Sequence, residues 1–545
     1  MSGTGLQRTA AALPMAVLFL LPLGAALLSL LPGLADASGF RDLVRHPQFA
    51  GALTLTLATG LASTLATLVL ALVIVFAANG KNVLGSASLF LAVPHVSLAI
   101  GLAFLIMPTG LLARMVGLAV GWTAPPQWLT TQDPWGLALT VALVLKETPF
   151  LVWALASQLN REDMRRSLEG QVAMARSLGH GPGSVFLRIV LPQLLPRVTG
   201  PLIAVLAYSL TVVDMALVIG PTQPPTLAQL VWTDINDAEQ VAEARGAAGV
   251  LVLGGIVLAV VAGVALAGKI MRPSLRRLLV LPPGQGSTSP ARLLPVQRLL
   301  WPLFLGLYAI VLAVTVLQTI AGHWPFPQLL PAIVTTRALE SLLANLGPAV
   351  TSLWLALATS AAALAVSVAW LEWKPPESDR PVRGAAVASM CLPALLLALG
   401  EYRLFLRLGV TGTAVAMFLA HVIPVTAYVF LMLAGPYRAF DPRWHAAAAG
   451  LRAGRMHFLL RIKWPLLKAP MLAAGAVGFS VSIAQYVTAQ LAAAGRFSTL
   501  TMEAVTRSSG GNRPLIAVYG VALAVLPLLV FLLASHFGKP RWSGR

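Results

Sequence analysis

Residues 52–78 read ALTLTLATGLASTLATLVLALVIVFAA, 27 positions without a charge. A run of roughly 20 apolar residues is enough to cross the hydrocarbon core of a bilayer as a helix. Lipid offers no partner for backbone N–H and C=O groups, so such a run must close its hydrogen bonds internally. Similar runs occupy 10–31, 86–107, 135–157, 198–220, 247–268, 299–321, 347–371, 384–400, 411–434, 470–492 and 514–535. Twelve spans define an all-α polytopic membrane protein. Composition agrees: 57% of the 545 residues are hydrophobic and 10% are charged, whereas a soluble domain carries about 25% charged residues. The alternation expected of a membrane β-barrel is not seen in these runs.

The formal charge of +19 does not point to nucleic acid, because the basic residues sit in short connections between spans and not on one folded face. Three connections are rich in them: Arg161 to Arg197, Lys269 to Arg298, and Arg438 to Lys468. Placed inside by the positive-inside rule, they put both termini in the cytoplasm. A single cysteine, Cys391, excludes a disulfide framework and a Cys-based metal site within the chain, and no cluster at metal-ligand or catalytic spacing is visible. The first apolar run exceeds the core of roughly 7–15 residues of a cleavable signal, so it reads as a retained span. The Pro-, Gly- and Ser-rich stretch 271–298 reads as a cytoplasmic linker between a first unit, 1–270, and a second, 299–545.

The two units share a plan. PHVSLAIG from Pro94 and PALLLALG from Pro393 both fit P-x3-L-A-x-G, and Pro149 and Pro424 interrupt the fourth and tenth runs. RIVLPQLLP from Arg188 matches RIKWPLLKAP from Arg461, and the pair Thr226-Leu227 recurs as Thr499-Leu500 at the same offset of 273 residues. Six spans separate an element from its copy, so the copies keep one orientation and form a parallel repeat with a translocation path expected at the interface of the halves.

The loop QVAMARSLGHGPGSVFLRIVLPQLLP, from Gln171, resembles the signature of permease subunits of ATP-binding-cassette importers: E-A-A, three residues, Gly, nine residues, I-x-L-P. Gly179, Ile189, Leu191 and Pro192 fall in register, with Ala173 at the Glu position. The copy WHAAAAGLRAGRMHFLLRIKWPLLKAP places Ile462 and Pro465, with Ala446 for Glu, Arg452 for Gly and Trp464 for Leu. Together with TQPPTLAQLVW after the fifth span, the chain resembles the fused permeases of the thiamine and ferric-iron group, in particular their inner-membrane branch.

The resemblance implies ATPase coupling through Ala173, Gly179, Ile189, Leu191, Pro192, Ala446, Arg452, Ile462 and Pro465. It further implies a small solute moved inward by alternating access, two copies of a soluble ATP-binding-cassette ATPase, a periplasmic solute-binding protein and residence in a bacterial inner membrane. ATP and Mg would be used by the partner ATPase, with no cofactor on this chain. The nearest approach to a phosphate loop, GVALAGKI at 263–270, has Ile where the magnesium-binding hydroxyl belongs.

Ionisable groups inside a membrane are candidates for function. Glu147, Asp214, Lys146 and His421 are such groups, with Pro149 and Pro424 freeing backbone carbonyls beside them. The alternative is that Lys146 neutralises an acid and the histidines, His95 included, are packed core residues. The acidic loop with Asp234, Asp237, Glu239 and Glu243, and the basic one with Arg496, Arg507 and Arg513, are candidate docking sites for the binding protein. A two-halved secondary transporter driven by an ion gradient would share the span number, but does not call for two basic loops with Ile-x-x-Pro cores.

Overall fold

The structure, a computed structural model, describes residues 12–34, 36–78, 83–280, 294–451 and 454–538, with side chains at 88, 89, 272, 274–280 and 294–298 excepted. Arg452 and linker positions 281–293 lie outside the described residues. Among the described residues, nine helices are long and apolar enough to cross a membrane. Three bent helix pairs bring the number to twelve if each pair is one span. Each of the twelve sequence runs overlaps one of these helices or pairs, and the run 86–107 begins on the separate short helix Val83–Leu91.

Several of the runs are not straight rods. The run at 384–400 is two helices, Asp379–Cys391 and Ala394–Leu408, meeting at a bend of 107°. Pro393 is the cause. It pushes the preceding Leu392 into an extended conformation (φ −75°, ψ 144°) and has no N–H to continue the ladder. Pro94 acts alike, standing between helices Val83–Leu91 and His95–Ile106.

A second proline device occurs three times. Ala16–Leu20, Phe186–Val190 and Leu459–Lys463 are π-helical turns, and each is followed by one residue and then a proline. Leu21, Leu191 and Trp464 donate five residues back, to Ala16, Phe186 and Leu459. A proline ring clashes with the carbonyl four residues back, and widening the turn by one residue makes room for it.

The helices gather into two compact units. One comprises Ser38–Leu91 and Leu98–Val334; the other comprises Met1–Ala37, Ala92–Ser97 and Thr335–Arg545. Each unit therefore takes the first span of the other sequence half.

The close approaches explain how a foreign helix is held. In the first unit, a Cβ on Gly101 would lie 2.8 Å from the Val311 carbonyl oxygen in helix Leu294–Thr319. On the same helix, Trp301 donates to Ser86 Oγ (3.1 Å) and Tyr308 to the Phe90 carbonyl (3.3 Å). In the second unit, a Cβ on Gly400 would lie 2.5 Å from the Ala26 carbonyl oxygen, and Ser29 Oγ donates to the Gly400 carbonyl at 2.7 Å. Met15, Phe19 and Leu23 then join Val366, Trp370, Ile423 and Phe430 in one buried cluster. The final glycine of P-x3-L-A-x-G is thus the seat for the exchanged span in both units. Small residues let helix backbones meet at van der Waals distance, the main attraction between helices in lipid.

Candidate functional site

The loop after the fourth span folds into a defined module. Helix Glu162–Ser177 carries Ala173 on its exposed side and ends at Leu178. Gly179 follows at φ +82°, a conformation only glycine adopts without strain. Gly179 N–H donates to Arg176 and His180 N–H to Ala175, the paired bonds of a Schellman motif. The chain resumes at Pro182–Val185, passes through the π turn and Leu191–Leu194, and enters Thr199–Thr211 at a bend of 66°.

Gln193 Nε2 secures this joint. It donates to the Ile189 carbonyl (2.8 Å), and to Gln171 Oε1 on the exposed helix (2.9 Å). Arg197 pairs with Asp163 at 3.1 Å. The guanidinium groups of Arg166 and Arg165 hold the Glu162 carboxyl below its ordinary range, and Arg161 chiefly does so for Asp163. These acids are solvent-exposed, so salt screens the pairs and they contribute little to stability.

The second module repeats the build: Arg443–Gly450, Arg455–Phe458, the π turn Leu459–Lys463 and Trp464–Leu466, entering Lys468–Ala484 at 72°. The π turns stand 273 positions apart. Of the nine coupling candidates, Ala173, Gly179, Ala446 and Pro465 are exposed, while Ile189, Leu191, Pro192 and Ile462 are half-buried at the joints; Arg452 is outside the described residues.

Each joint feeds a span that breaks at one register. Thr199–Thr211 stops at Val212 (φ −63°, ψ 130°) and resumes after Val213 (φ −107°, ψ −53°) as Asp214–Ile219. Lys468–Ala484 stops at Gln485 (φ −71°, ψ 123°) and resumes after Tyr486 (φ −108°, ψ −62°) as Val487–Ala493. By hydropathy, 198–220 and 470–492 are continuous runs. Hydropathy cannot see either break, because Val212 and Val213 are apolar and the polar pair Gln485-Tyr486 is too short to interrupt a run of roughly 20 residues.

Beyond each break the chain is pinned the same way. Thr226 and Thr499 cap the next helix by accepting from the third residue on, Gln229 and Met502. Leu227 N–H donates to Thr56 Oγ1 and Leu500 N–H to Ser352 Oγ, both at 2.8 Å.

The buried candidates divide between the units. In the first, Lys146 and Glu147 are both buried on helix Leu137–Leu159, and Glu147 acts electrostatically on Lys146 and on the buried Tyr308. Asp214 opens the helix after the break. Its Oδ1 accepts from its neighbour's amide, Met215 N–H (2.9 Å), and from Tyr208 (3.3 Å).

In the second unit, His421 Nδ1 lies 2.9 Å from Ser482 Oγ, which also accepts from Thr359 at 3.2 Å. Gln485, at the break, donates to the His421 carbonyl (3.4 Å) and accepts from Thr488 (2.6 Å). Nε2 of His421 is buried without a hydrogen bond. Pro149 and Pro424 sit inside their helices. His95, half-buried, opens its own helix.

Sequence reasoning missed Glu401. It is 3% exposed, and neither carboxyl oxygen has a hydrogen bond. One acid just past an apolar run looks like the start of a loop; here the helix continues to Leu408. Asp234 needs correcting as a docking residue. It is buried and joined to Arg245 at 2.5 Å, whereas Asp237, Glu239 and Glu243 are exposed. Arg507 likewise pairs with Glu503 at 2.8 Å, while Arg496 and Arg513 are exposed.

Two basic modules are built alike, each running through a proline-widened turn into a broken span of a polytopic membrane protein. Over 528 residues, 96% of this chain and 94% of the relative, the sequence is 30% identical to the inner membrane ABC transporter permease protein YnjC of Escherichia coli (strain K12). The chain belongs to the inner-membrane ABC transporter permeases. No family model matches it.

Proposed function

We propose that this chain forms the transmembrane part of an importer that moves a small solute inward, with separate ABC ATPases docked on its two coupling modules. The observation that carries this reading is the repeated module, with an exposed helix, a π turn at the Ile-x-x-Pro core and a broken span at matching positions. A helix joined to a span through a defined turn transmits a push; a loose loop does not. The ATPase, in two copies, supplies ATP and Mg chemistry; this chain supplies the path and has no ATPase site of its own. Both termini lie in the cytoplasm.

The breaks at Val212–Val213 and Gln485–Tyr486 form the working part of the path. A broken helix leaves N–H and C=O groups without helical partners at mid-span, and these serve a passing solute. Asp214, His421, Gln485 and Glu401 contribute side chains in their respective units, and Lys146 balances Glu147. The buried acids favour a cation or a solute bearing cationic groups, as the resemblance to thiamine and ferric-iron permeases also suggests. A periplasmic binding protein docks on Asp237, Glu239, Glu243, Arg496 and Arg513.

Purification from native membranes tests this: an ATPase should copurify, and uptake into vesicles should stop with vanadate. Uptake that follows a proton or sodium gradient without ATP would establish the secondary-transporter reading instead.

A further inference from the structure

Glu372 stands at the end of helix Gly347–Trp373, and three elements converge on it. Lys463, in the π turn of the second module, donates to its Oε2 at 2.6 Å. Tyr437, at the end of helix Ala414–Arg438, donates to the same oxygen at 2.8 Å. Arg455, which opens the helix before the π turn, reaches Oε1 and the Glu372 carbonyl, both at 3.3 Å. The Lys463 and Glu372 side chains are 14% and 10% exposed.

Rings close around these charges. Lys463 Nζ lies 4.3 Å from the Tyr437 ring centre, the Arg455 guanidinium 3.6 Å from that of Trp373, and Trp464 Nε1 donates to Tyr437 Oη at 3.3 Å. A second buried pair braces the same helix ends. Arg438 makes two bonds to Asp379 (2.8 and 2.7 Å) and one to the Leu371 carbonyl (2.9 Å), and Trp370 donates to Asp379 at 2.9 Å.

The first module meets its own second span differently: Phe76, at the end of Phe49–Ala77, packs on Phe186 of the π turn with ring centres 4.9 Å apart. Two rings can slide past one another. A nearly buried carboxylate holding three donors cannot shift without leaving charges unpaired in a poorly solvating setting.

We propose that Glu372 is the positioning residue that makes the second coupling loop one rigid body with the ends of the helices Gly347–Trp373 and Ala414–Arg438, so that the ATPase stroke reaches those spans undiminished. This rests on the coupling reading above and adds to it an inequality: the second module is a clamp, the first a sliding contact.

The test uses the full chain with its copurified ATPase in nanodiscs, with Cys391→Ser and spin labels at Ala447→Cys and Lys374→Cys. The probes are ATP alone and ATP with vanadate. The label-to-label distance should be narrow and the same in both states. Glu372→Gln should still bind the ATPase, but its distance should broaden or shift with vanadate by about one helical turn, roughly 5 Å. The exchange Glu372→Lys with Lys463→Glu should restore the narrow distribution, which a residue serving only general stability would not allow. A narrow, state-independent distance in Glu372→Gln, or a wild-type distance that moves as much as the variant's, would overturn the clamp. Wild-type chain that binds no ATPase removes the coupling reading itself.

Discussion

At the scale of single residues, the glycines that end the P-x3-L-A-x-G repeats matter most for assembly. Gly400 has a carbonyl oxygen where a Cβ would go, so Gly400→Val must push its helix away from the span that carries Ala26. We expect it to lower the melting temperature in detergent sharply, at the upper end of overpacking costs of about 1–3 kcal/mol. Gly384, with nothing near its Cβ position, is the control, and Gly384→Ala should be neutral or mildly stabilising. The buried acids make a second prediction. Removing one partner of a buried ion pair typically costs about 3–5 kcal/mol, so Asp379→Ala should be severe on the same thermal assay. Asp234→Ala should follow it, because that acid holds Arg245 and is not a free docking charge, whereas Glu239→Lys should leave the fold intact.

Sequence made some of this legible and hid the rest for definite reasons. The repeat was readable because Pro192 and Pro465 share the one offset that aligns Thr226 with Thr499. The meaning of those prolines was not readable, since a π turn is a backbone response to the ring's clash with the preceding turn and leaves no pattern of its own. Glu372 and Lys463 are 91 positions apart, and no spacing rule joins them. The 107° bend at Leu392–Pro393 escaped because both arms are apolar enough to pass as one run.

At the scale of elements, the π turns are the joints between the exposed module helices and the broken spans. Replacing proline by alanine restores an N–H and removes the ring clash, so the turn can close to an ordinary α ladder. Pro192→Ala with Pro465→Ala should therefore keep the fold and the bound ATPase, yet reduce vanadate-sensitive uptake by an order of magnitude or more, about 1.4 kcal/mol or greater in the coupling step. Either single substitution should give an intermediate loss. Uptake at the wild-type rate in the double variant would show that the turn geometry carries no force.

At the scale of the whole molecule, each unit draws helices from both sides of the linker. A chain cut between residues 281 and 293 should therefore stay together, and neither fragment should fold when made alone. Residues 299–545 lack the span Ala12–Leu34, which fills the cluster around Phe19, Trp370 and Phe430. A soluble, monodisperse preparation of either fragment by itself would count against the exchange.

The central claim is that two like-built modules each carry an ATPase. Native mass spectrometry of the complex drawn from native membranes tests it most directly. The prediction is one permease chain with two ATPase subunits, reduced to the bare chain when Ala173→Arg and Ala446→Arg, which put a bulky cation where the signature carries an acid, are introduced together. A permease that purifies without any ATPase, or that retains both subunits after both substitutions, would contradict it.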